Sequence, residues 1–187
     1  MERTAAPGRT GVFGTLLPFE GRRPRVHPGA FVAPTAVLIG DVEIAEGASV
    51  WYHCVLRGDT NFIRVGRGSN IQDGTIVHVA AGRFPTLIGA EVTIGHAAIV
   101  HACTLQDRAF VAMGATVLDG AVIEEGGVLA AGGLLPAGKR IGPGELWMGA
   151  PARLVRVLSE EERAGFARTA PHYRELAGRH RASLAEG

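Results

Sequence analysis

The sequence lacks the features that mark several common classes of protein. Aromatic residues make up only 6% of its 187 residues and there are two cysteines, so no disulfide framework is expected. The 19 basic and 18 acidic residues give a net charge of +1, so no basic surface for nucleic acid or an anionic membrane is expected. No apolar run of about 18 residues marks a membrane span, and the N-terminus does not resemble a secretory signal.

Aliphatic side chains instead recur every six residues along most of the chain. A period of six fits neither an α-helix nor simple hairpins, but it is typical of a hexapeptide β-helix, in which three short strands form one triangular coil of about 18 residues. We therefore predict an all-β solenoid, a parallel β-helix of about six to seven coils with a C-terminal α-helix. The recurring positions are Val26, Val32, Leu38, Ile44, Val50, Leu56, Val65, Ile71, Val77, Ile88, Ile94, Val100, Leu105, Val111, Val117, Ile123, Leu129, Leu135 and Ile141.

The same periodicity divides the chain into segments: a lead-in over residues 1–25, the β-helix over 26–146, a connection over 147–158 and a helical appendage over 159–187. Thr15-Leu16-Leu17 in the lead-in could form a short strand. Ser159 and Glu162 have the spacing of a helix-capping box, and Pro171 is expected to break or restart the helix that follows.

The period slips at three points, which predict loops that protrude from the solenoid. Three extra residues accompany Phe62, five more lie within residues 80–86, and one residue is missing before Leu105. Cys54 and Cys103 fall within the repeat, and we expect buried, reduced thiols, with a metal or nucleophile role as the alternative. Reduced thiols predict a reducing compartment, most simply the cytoplasm.

Three of the seven histidines occupy related positions in the repeat. His78 and His101 are 23 residues apart, and subtraction of the five-residue insertion leaves one coil of 18. His101 should therefore lie directly above His78, about 4.8 Å away at the backbone, where both rings can bind one metal ion. By the same count His96 lies above Asp73 near another corner, on the order of 10 Å or more from that pair.

His96 is therefore too distant to complete the same site within one chain. We predict a homotrimer in which the metal lies between subunits, bound by His78 and His101 of one chain and by His96 of the next. Three histidines with an open position are typical of a catalytic zinc site, and Fe²⁺ or Co²⁺ would accept the same ligands. The alternative interpretation is a set of solvent-facing histidines along a polar edge.

Four polar residues accompany this site. Arg57 lies one coil below His78, and Asp59 could pair with an arginine of its own chain or of a neighbour, either as a structural ion pair or in the chemistry. Gln72 can donate to a metal-bound water or a substrate oxygen. Asp73, beneath His96, could fix the tautomer of that histidine.

The segments RGDTNFIRVG (57–66), NIQDGTIVH (70–78), VTIGHAAIVHACTL (92–105), MGATVLDGAVI (113–123) and GAPARLVRVLSEEE (149–162) closely resemble the γ-class carbonic anhydrases and their homologues. The resemblance covers about residues 12–180. It implies a left-handed β-helix trimer with His78, His96 and His101 as ligands to a shared metal. It also implies an intersubunit Arg57–Asp59 pair, and Gln72 and Asp73 near the metal-bound water.

The resemblance further places a tyrosine of the C-terminal helix near the metal in some relatives, and Tyr173 is the candidate, with helix packing as the alternative role. Thr60 stands where the best-studied branch has a glutamate, and residues 80–86 contain no acid. The chain is therefore similar to the short-loop branch, and without an acidic proton shuttle slower turnover is expected.

The sequence thus favours the reversible, metal-dependent hydration of CO₂ to bicarbonate by a metal-bound hydroxide, a lyase reaction, at the interfaces of a homotrimer. Two alternatives stay open. The protein could be a non-catalytic metal-binding or assembly homologue. It could also be a hexapeptide acyltransferase using acetyl-CoA, although that chemistry needs one histidine base rather than three in ligand register.

Overall fold

The computed structural model describes residues 11–186, so the first ten residues of the predicted lead-in and the last residue of the appendage lie outside the described residues. The described part forms a left-handed β-helix of about seven turns followed by helix, as predicted. The strands are β1 (Thr15–Leu17), β2 (Arg25–Val26), β3 (Phe31–Val32), β4 (Val37–Ile44), β5 (Ser49–Val50), β6 (Val55–Val65), β7 (Asn70–Ile71), β8 (Ile76–His78), β9 (Thr86–Ile88), β10 (Thr93–Ile94), β11 (Ile99–His101), β12 (Thr104–Leu105), β13 (Phe110–Val111), β14 (Thr116–Val117), β15 (Val122–Ile123), β16 (Val128–Leu129), β17 (Leu134–Leu135), β18 (Arg140–Ile141), β19 (Glu145–Gly149) and β20 (Ala152–Val157). The helices are α1 (Glu160–Ala167) and α2 (Thr169–Glu186).

The strands stack in parallel on three faces of a triangular prism. The histidine face consists of β1, β8, β11, β14 and β17 with the first halves of β4 and β6. The helix face consists of β3, β5, β7, β10, β13, β16 and β19. The third face consists of β2, β9, β12, β15 and β18 with the second halves of β4 and β6. The long strands β4 and β6 therefore run from one face to the next without a break.

The recurring aliphatic side chains fill the interior of the prism, which confirms the six-residue pattern. All of those predicted from the repeat are buried except Val26, which is partly buried against the same core. Because each strand from β2 to β18 contributes one or two such residues, the core is a continuous apolar column rather than a single cluster.

The slips in the period form the predicted departures from regular coils. The three extra residues lie inside β6, where the pairing with β4 jumps from Gly58 to Ile63. The insertion at residues 80–86 folds back on itself, since Ala80 pairs with Phe84. Both insertions lie at the edge between the histidine face and the third face, next to the end of β8.

The segment predicted as a connection contains a hairpin instead. Strand β19 stacks on β16, with Trp147 above Leu129, and β20 returns antiparallel to it after the cis Ala150–Pro151 bond. Trp147 continues the inward series by one more rung, and its indole N–H donates to Glu145. The aliphatic count missed this rung because its inward residue is an aromatic one.

The C-terminal helices begin and break as the sequence indicates. Ser159 and Glu162 form the reciprocal capping box of α1. The chain breaks at Arg168, so Pro171 lies in the first turn of α2, where its missing N–H has no carbonyl to bond. Helix α2 packs on β3, β5 and β7 of the helix face through an aromatic cluster that includes Trp51 and Tyr173. Within residues 11–186, no helix has the length and apolar character needed to cross a membrane.

Gly40 is a point at which the stacking of coils depends on the absence of a side chain. Its φ is +74°, and a Cβ there would lie 2.3 Å from the carbonyl oxygen of Gly58 in the next coil. We expect Gly40→Ala to lower the free energy of unfolding by about 2–5 kcal/mol, since the left-handed conformation costs about 1–2 and forcing apart two packed rungs about 1–3 more.

Gly138→Ala is the matched control, because Gly138 has a φ of +67° but no atom within 4 Å of its Cβ position. The free energy of unfolding of this variant should fall only by the cost of the left-handed conformation, about 1–2 kcal/mol. Urea unfolding of both variants at one chain concentration measures the difference. Equal losses would mean that the contact between Gly40 and Gly58 does not constrain the stack.

Candidate metal centre

The predicted stacking of His78 and His101 is confirmed. Strand β11 lies directly on β8 with His101 opposite His78, and the ring centroids are 5.0 Å apart. The Nδ1 atom of His78 and the Nε2 atom of His101 face each other at 3.0 Å. The hydrophobic partners Val77 and Val100 point inward from the same strands, so the core fixes the position of both rings.

Each ring is also held from its far side by a carboxylate. His78 Nε2 lies 3.1 Å from Asp59 Oδ1, and His101 Nδ1 lies 2.6 Å from Asp119 Oδ1. The insertion in β6 lets Asp59 reach the ring, because it allows the chain to leave the face just after Gly58. Four side chains thus form one continuous row across the end of the histidine face.

Asp119 was not among the residues predicted from the sequence. It follows His101 by 18 residues, the length of one coil, so the count that pairs His101 with His78 would also have found it.

The hydrogen-bond partners in this row fit a metal ion. If the outer ring nitrogens donate to Asp59 and Asp119, the two inner nitrogens present lone pairs to each other and need a cation between them. Burial lowers the pKa of His78, which disfavours a proton as that cation, and the neutral ring is the form that binds metals. Two nitrogens bound to one tetrahedral zinc ion lie about 3.3 Å apart, close to the separation seen here.

Arg57 and Asp59 pair within the chain. Leu56 is opposite Val77, so Arg57 lies beneath His78, and its guanidinium donates to Asp59. Burial raises the pKa of Asp59, but hydrogen bonds from Arg57, His78 and the Thr60 amide outweigh it and lower the pKa to about 2. Asp59 is therefore ionised at neutral pH. An intersubunit Arg57–Asp59 pair stays a prediction, since one chain contains only its own pairing.

His96 lies at the other end of the same face, above Asp73 as predicted. Its Nδ1 atom is 3.0 Å from Asp73 Oδ2, while the second oxygen of Asp73 accepts the Tyr52 amide at 3.3 Å. The carboxylate therefore favours the tautomer in which Nε2 of His96 carries the lone pair. Strand β11 separates His96 from His101, and no group of three or more potential ligands comes together among the described residues.

Tyr173 is beside His96 rather than beside the His78–His101 pair. Its hydroxyl lies 3.5 Å from His96 Nε2, and its ring packs edge-on against Trp51 with centroids 5.3 Å apart. Burial and the charge of Asp73 raise the pKa of Tyr173, so the phenol is neutral at physiological pH. The contact with Trp51 agrees with the helix-packing role, and a place for Tyr173 near the metal stays a prediction.

Gln72 is buried, at the end of β7. Its side-chain amide donates to Asn70 Oδ1 at 3.0 Å, and Asn70 in turn donates to Thr93 at 2.9 Å. This chain fixes the orientation of the Gln72 amide and leaves its second N–H for another acceptor. The structure does not bring Gln72 into hydrogen-bond contact with the three histidines.

The two cysteines are free and buried, as predicted. Burial raises the pKa of Cys54 to about 12 and that of Cys103 still further. Both are therefore thiols at neutral pH and poor metal ligands.

Comparison with known proteins finds carbonic anhydrases among the relatives of this chain. γ Carbonic anhydrase 1 of Arabidopsis thaliana is 49% identical over 177 residues, which cover 92% of this chain and 64% of the relative. A probable carbonic anhydrase of Methanocaldococcus jannaschii is 52% identical over 145 residues, which cover 78% of this chain and 91% of the relative. The chain thus spans slightly less than two thirds of the plant protein and nearly all of the archaeal one.

A solved structure from Anaplasma phagocytophilum, described as a hexapeptide transferase family protein, is 50% identical with a TM-score of 0.84, covering 87% of this chain and 96% of that one. No protein-family model matches the chain. The identity to the archaeal relative over nearly its whole length is far above what a shared solenoid requires. The chain therefore belongs to the γ-class carbonic anhydrase family.

Proposed function

We propose that the protein hydrates CO₂ reversibly to bicarbonate at metal sites shared between the subunits of a homotrimer, with zinc as the ion and Fe²⁺ or Co²⁺ as possible replacements. The observation that carries the proposal is the pair of inner nitrogens of His78 and His101, 3.0 Å apart with a carboxylate behind each ring. His96, with Asp73 behind it, supplies a ligand of the same type from the opposite edge of the face.

The surface between the two edges supports the trimer. Ile76 and Ile99 point outward from β8 and β11, one above the other, and they are 41% and 44% exposed in the single chain. They lie two residues before His78 and His101 on the same side of the strands. A neighbouring chain that covers this apolar column would bring its own His96 edge toward the His78–His101 pair, as a threefold ring requires.

His78, His96 and His101 would hold a divalent ion, which would lower the pKa of a bound water to about 7 and so would supply hydroxide for addition to CO₂ at neutral pH. The chain's own residues perform the other tasks. Asp59 fixes the tautomer of His78, and Asp73 fixes that of His96. Gln72, which Asn70 orients, has an N–H that can donate to a substrate oxygen. Arg57 keeps Asp59 ionised and places one positive charge beside it.

Proton removal is the step for which this chain is poorly equipped. Arg83 is the charged residue of the insertion at 80–86, so no carboxylate extends from it, and Thr60 donates its amide to Asp59 where an acid would otherwise lie. Because Tyr173 is a neutral phenol, it can relay a proton only by accepting one while it releases its own. We therefore propose a turnover that depends on external buffer.

The proposal is tested on protein purified anaerobically, by elemental analysis, by mass in solution and by CO₂ hydration at rising buffer concentration. We expect about one metal ion per chain, a mass near three chains of 19.6 kDa, and a rate that increases with buffer. Full metal occupancy with no hydration would contradict the catalytic claim and support the non-catalytic homologue. Tight acetyl-CoA binding without stoichiometric metal would support the acyltransferase.

We also propose a reducing compartment, such as the cytoplasm, as the site of action. The two buried thiols support it, since neither is paired in a disulfide.

A further inference from the structure

Asp119 lies in the coil above His101, at the turn Leu118-Asp119-Gly120, and its Oδ1 atom is 2.6 Å from His101 Nδ1. This is the shortest of the three carboxylate–histidine contacts, against 3.0 Å for Asp73 and His96 and 3.1 Å for Asp59 and His78. A carboxylate accepts hydrogen bonds and cannot donate them when ionised, so the contact requires the proton of His101 to be on Nδ1.

The turn that carries Asp119 is held in place. The amide of Gly120 donates to the carbonyl of Ala102, and the amide of Gly138 donates to the carbonyl of Asp119, at 2.7 and 2.8 Å. The ring of Phe84, from the insertion at 80–86, lies so close to Gly120 that a Cβ there would be 3.1 Å from it. The backbone of Asp119 is therefore fixed from below, from above and from the side.

From this geometry we propose that Asp119 is a positioning residue for the metal centre: it fixes the tautomer and orientation of His101 so that Nε2 faces the ion. The proposal rests on the proposed function, because it takes His101 to be a ligand. Each of the three histidines then has its own carboxylate, Asp59, Asp73 or Asp119, from an adjacent coil or insertion. Such partners orient metal-bound imidazoles and increase their basicity, and loss of one typically weakens metal binding about 10–100-fold.

The test measures metal affinity and stability of the metal-free chain separately. Full-length wild type, Asp119→Ala, Asp119→Asn and Asp119→Glu are stripped of metal and titrated with Co²⁺ against a chromophoric chelator. The visible spectrum of bound Co²⁺ is recorded, and each metal-free protein is melted. Glu125→Gln is the matched control, because Glu125 is also a carboxylate at a turn that contacts a side chain of the preceding coil, but its partner is Arg108 at a different edge of the prism.

We expect Asp119→Ala and Asp119→Asn to weaken Co²⁺ binding about 10–100-fold, with a changed spectrum and an unchanged melting temperature of the metal-free protein. Asp119→Glu should recover part of the affinity, and Glu125→Gln should bind as wild type does. Asp119→Asn is informative even if Asp119→Ala misfolds, because asparagine has the size of aspartate. Its amide can donate to Nδ1 of His101 and so favour the wrong tautomer, in which Nε2 carries the proton.

Wild-type affinity in both variants would overturn the proposal, and so would a loss of affinity matched by an equal loss of stability in the metal-free protein. Failure of the wild type to bind Co²⁺ would instead overturn the proposed function itself. The two failures are therefore distinguishable.

Discussion

Replacement of any one of His78, His96 and His101 by alanine should remove the metal ion. A site with three protein ligands loses a third of its donors, and the loss in affinity should exceed the roughly 100-fold that follows from removal of an indirect partner. We expect metal content to fall from about one ion per chain to a trace, and CO₂ hydration to fall with it. Elemental analysis after dialysis against a weak chelator measures the first, and a stopped-flow indicator assay the second.

His27→Ala is the control for these variants. His27 accepts the Gly29 amide at its Nδ1 atom, at the end of β2 on the third face, and it has no contact with the three ligands. This variant should keep its metal and its activity. Retention of full metal content by His101→Ala would refute the ligand assignment, and it would favour chemistry that uses these histidines in another way.

A mixture of two inactive variants should recover activity. His96→Ala chains keep His78 and His101, whereas His101→Ala chains keep His96, so a complete site forms where the first variant meets the second in the right order. Around a threefold ring that contains both variants, one junction in three has this order. With equal amounts and random assembly, three quarters of the rings are mixed, and about a quarter of the wild-type number of sites should return.

The experiment requires the two purified variants to be dissociated, mixed and reassembled, and each variant treated alone is the control. A metal content near one quarter of the wild-type value, with activity in proportion, would establish that ligands come from two chains. No recovery, despite mixed rings detected by mass spectrometry of differently tagged chains, would mean that each site draws its ligands from a single chain. The first outcome gives about one quarter of the wild-type metal content and activity, and the second gives neither.

The period of six was enough to predict the solenoid, the stacking of His101 on His78 and the position of Asp73 beneath His96, because register in a β-helix follows directly from counting. The capping box before α1 is equally local, and it too is confirmed. These features depend on sequence spacing alone.

The remaining features depend on contacts that spacing does not contain. Which nitrogen of His78 faces His101 depends on Asp59, which reaches the ring only because β6 bulges after Gly58. The contact between Tyr173 and His96 depends on how α2 docks against the solenoid, and that angle is set by the aromatic cluster around Trp51. Counting by six cannot give either result.

The two edges that carry the ligands are joined by a single strand of three residues, β11, with His96 before it and His101 at its end. Under the proposed arrangement, a newly synthesised chain carries His78 and His101 at one edge and His96 at the other. It therefore cannot form a complete metal site by itself. Catalysis would begin only at concentrations that sustain the ring and would cease on dilution below them, so that enzymatic output reports on the quaternary state.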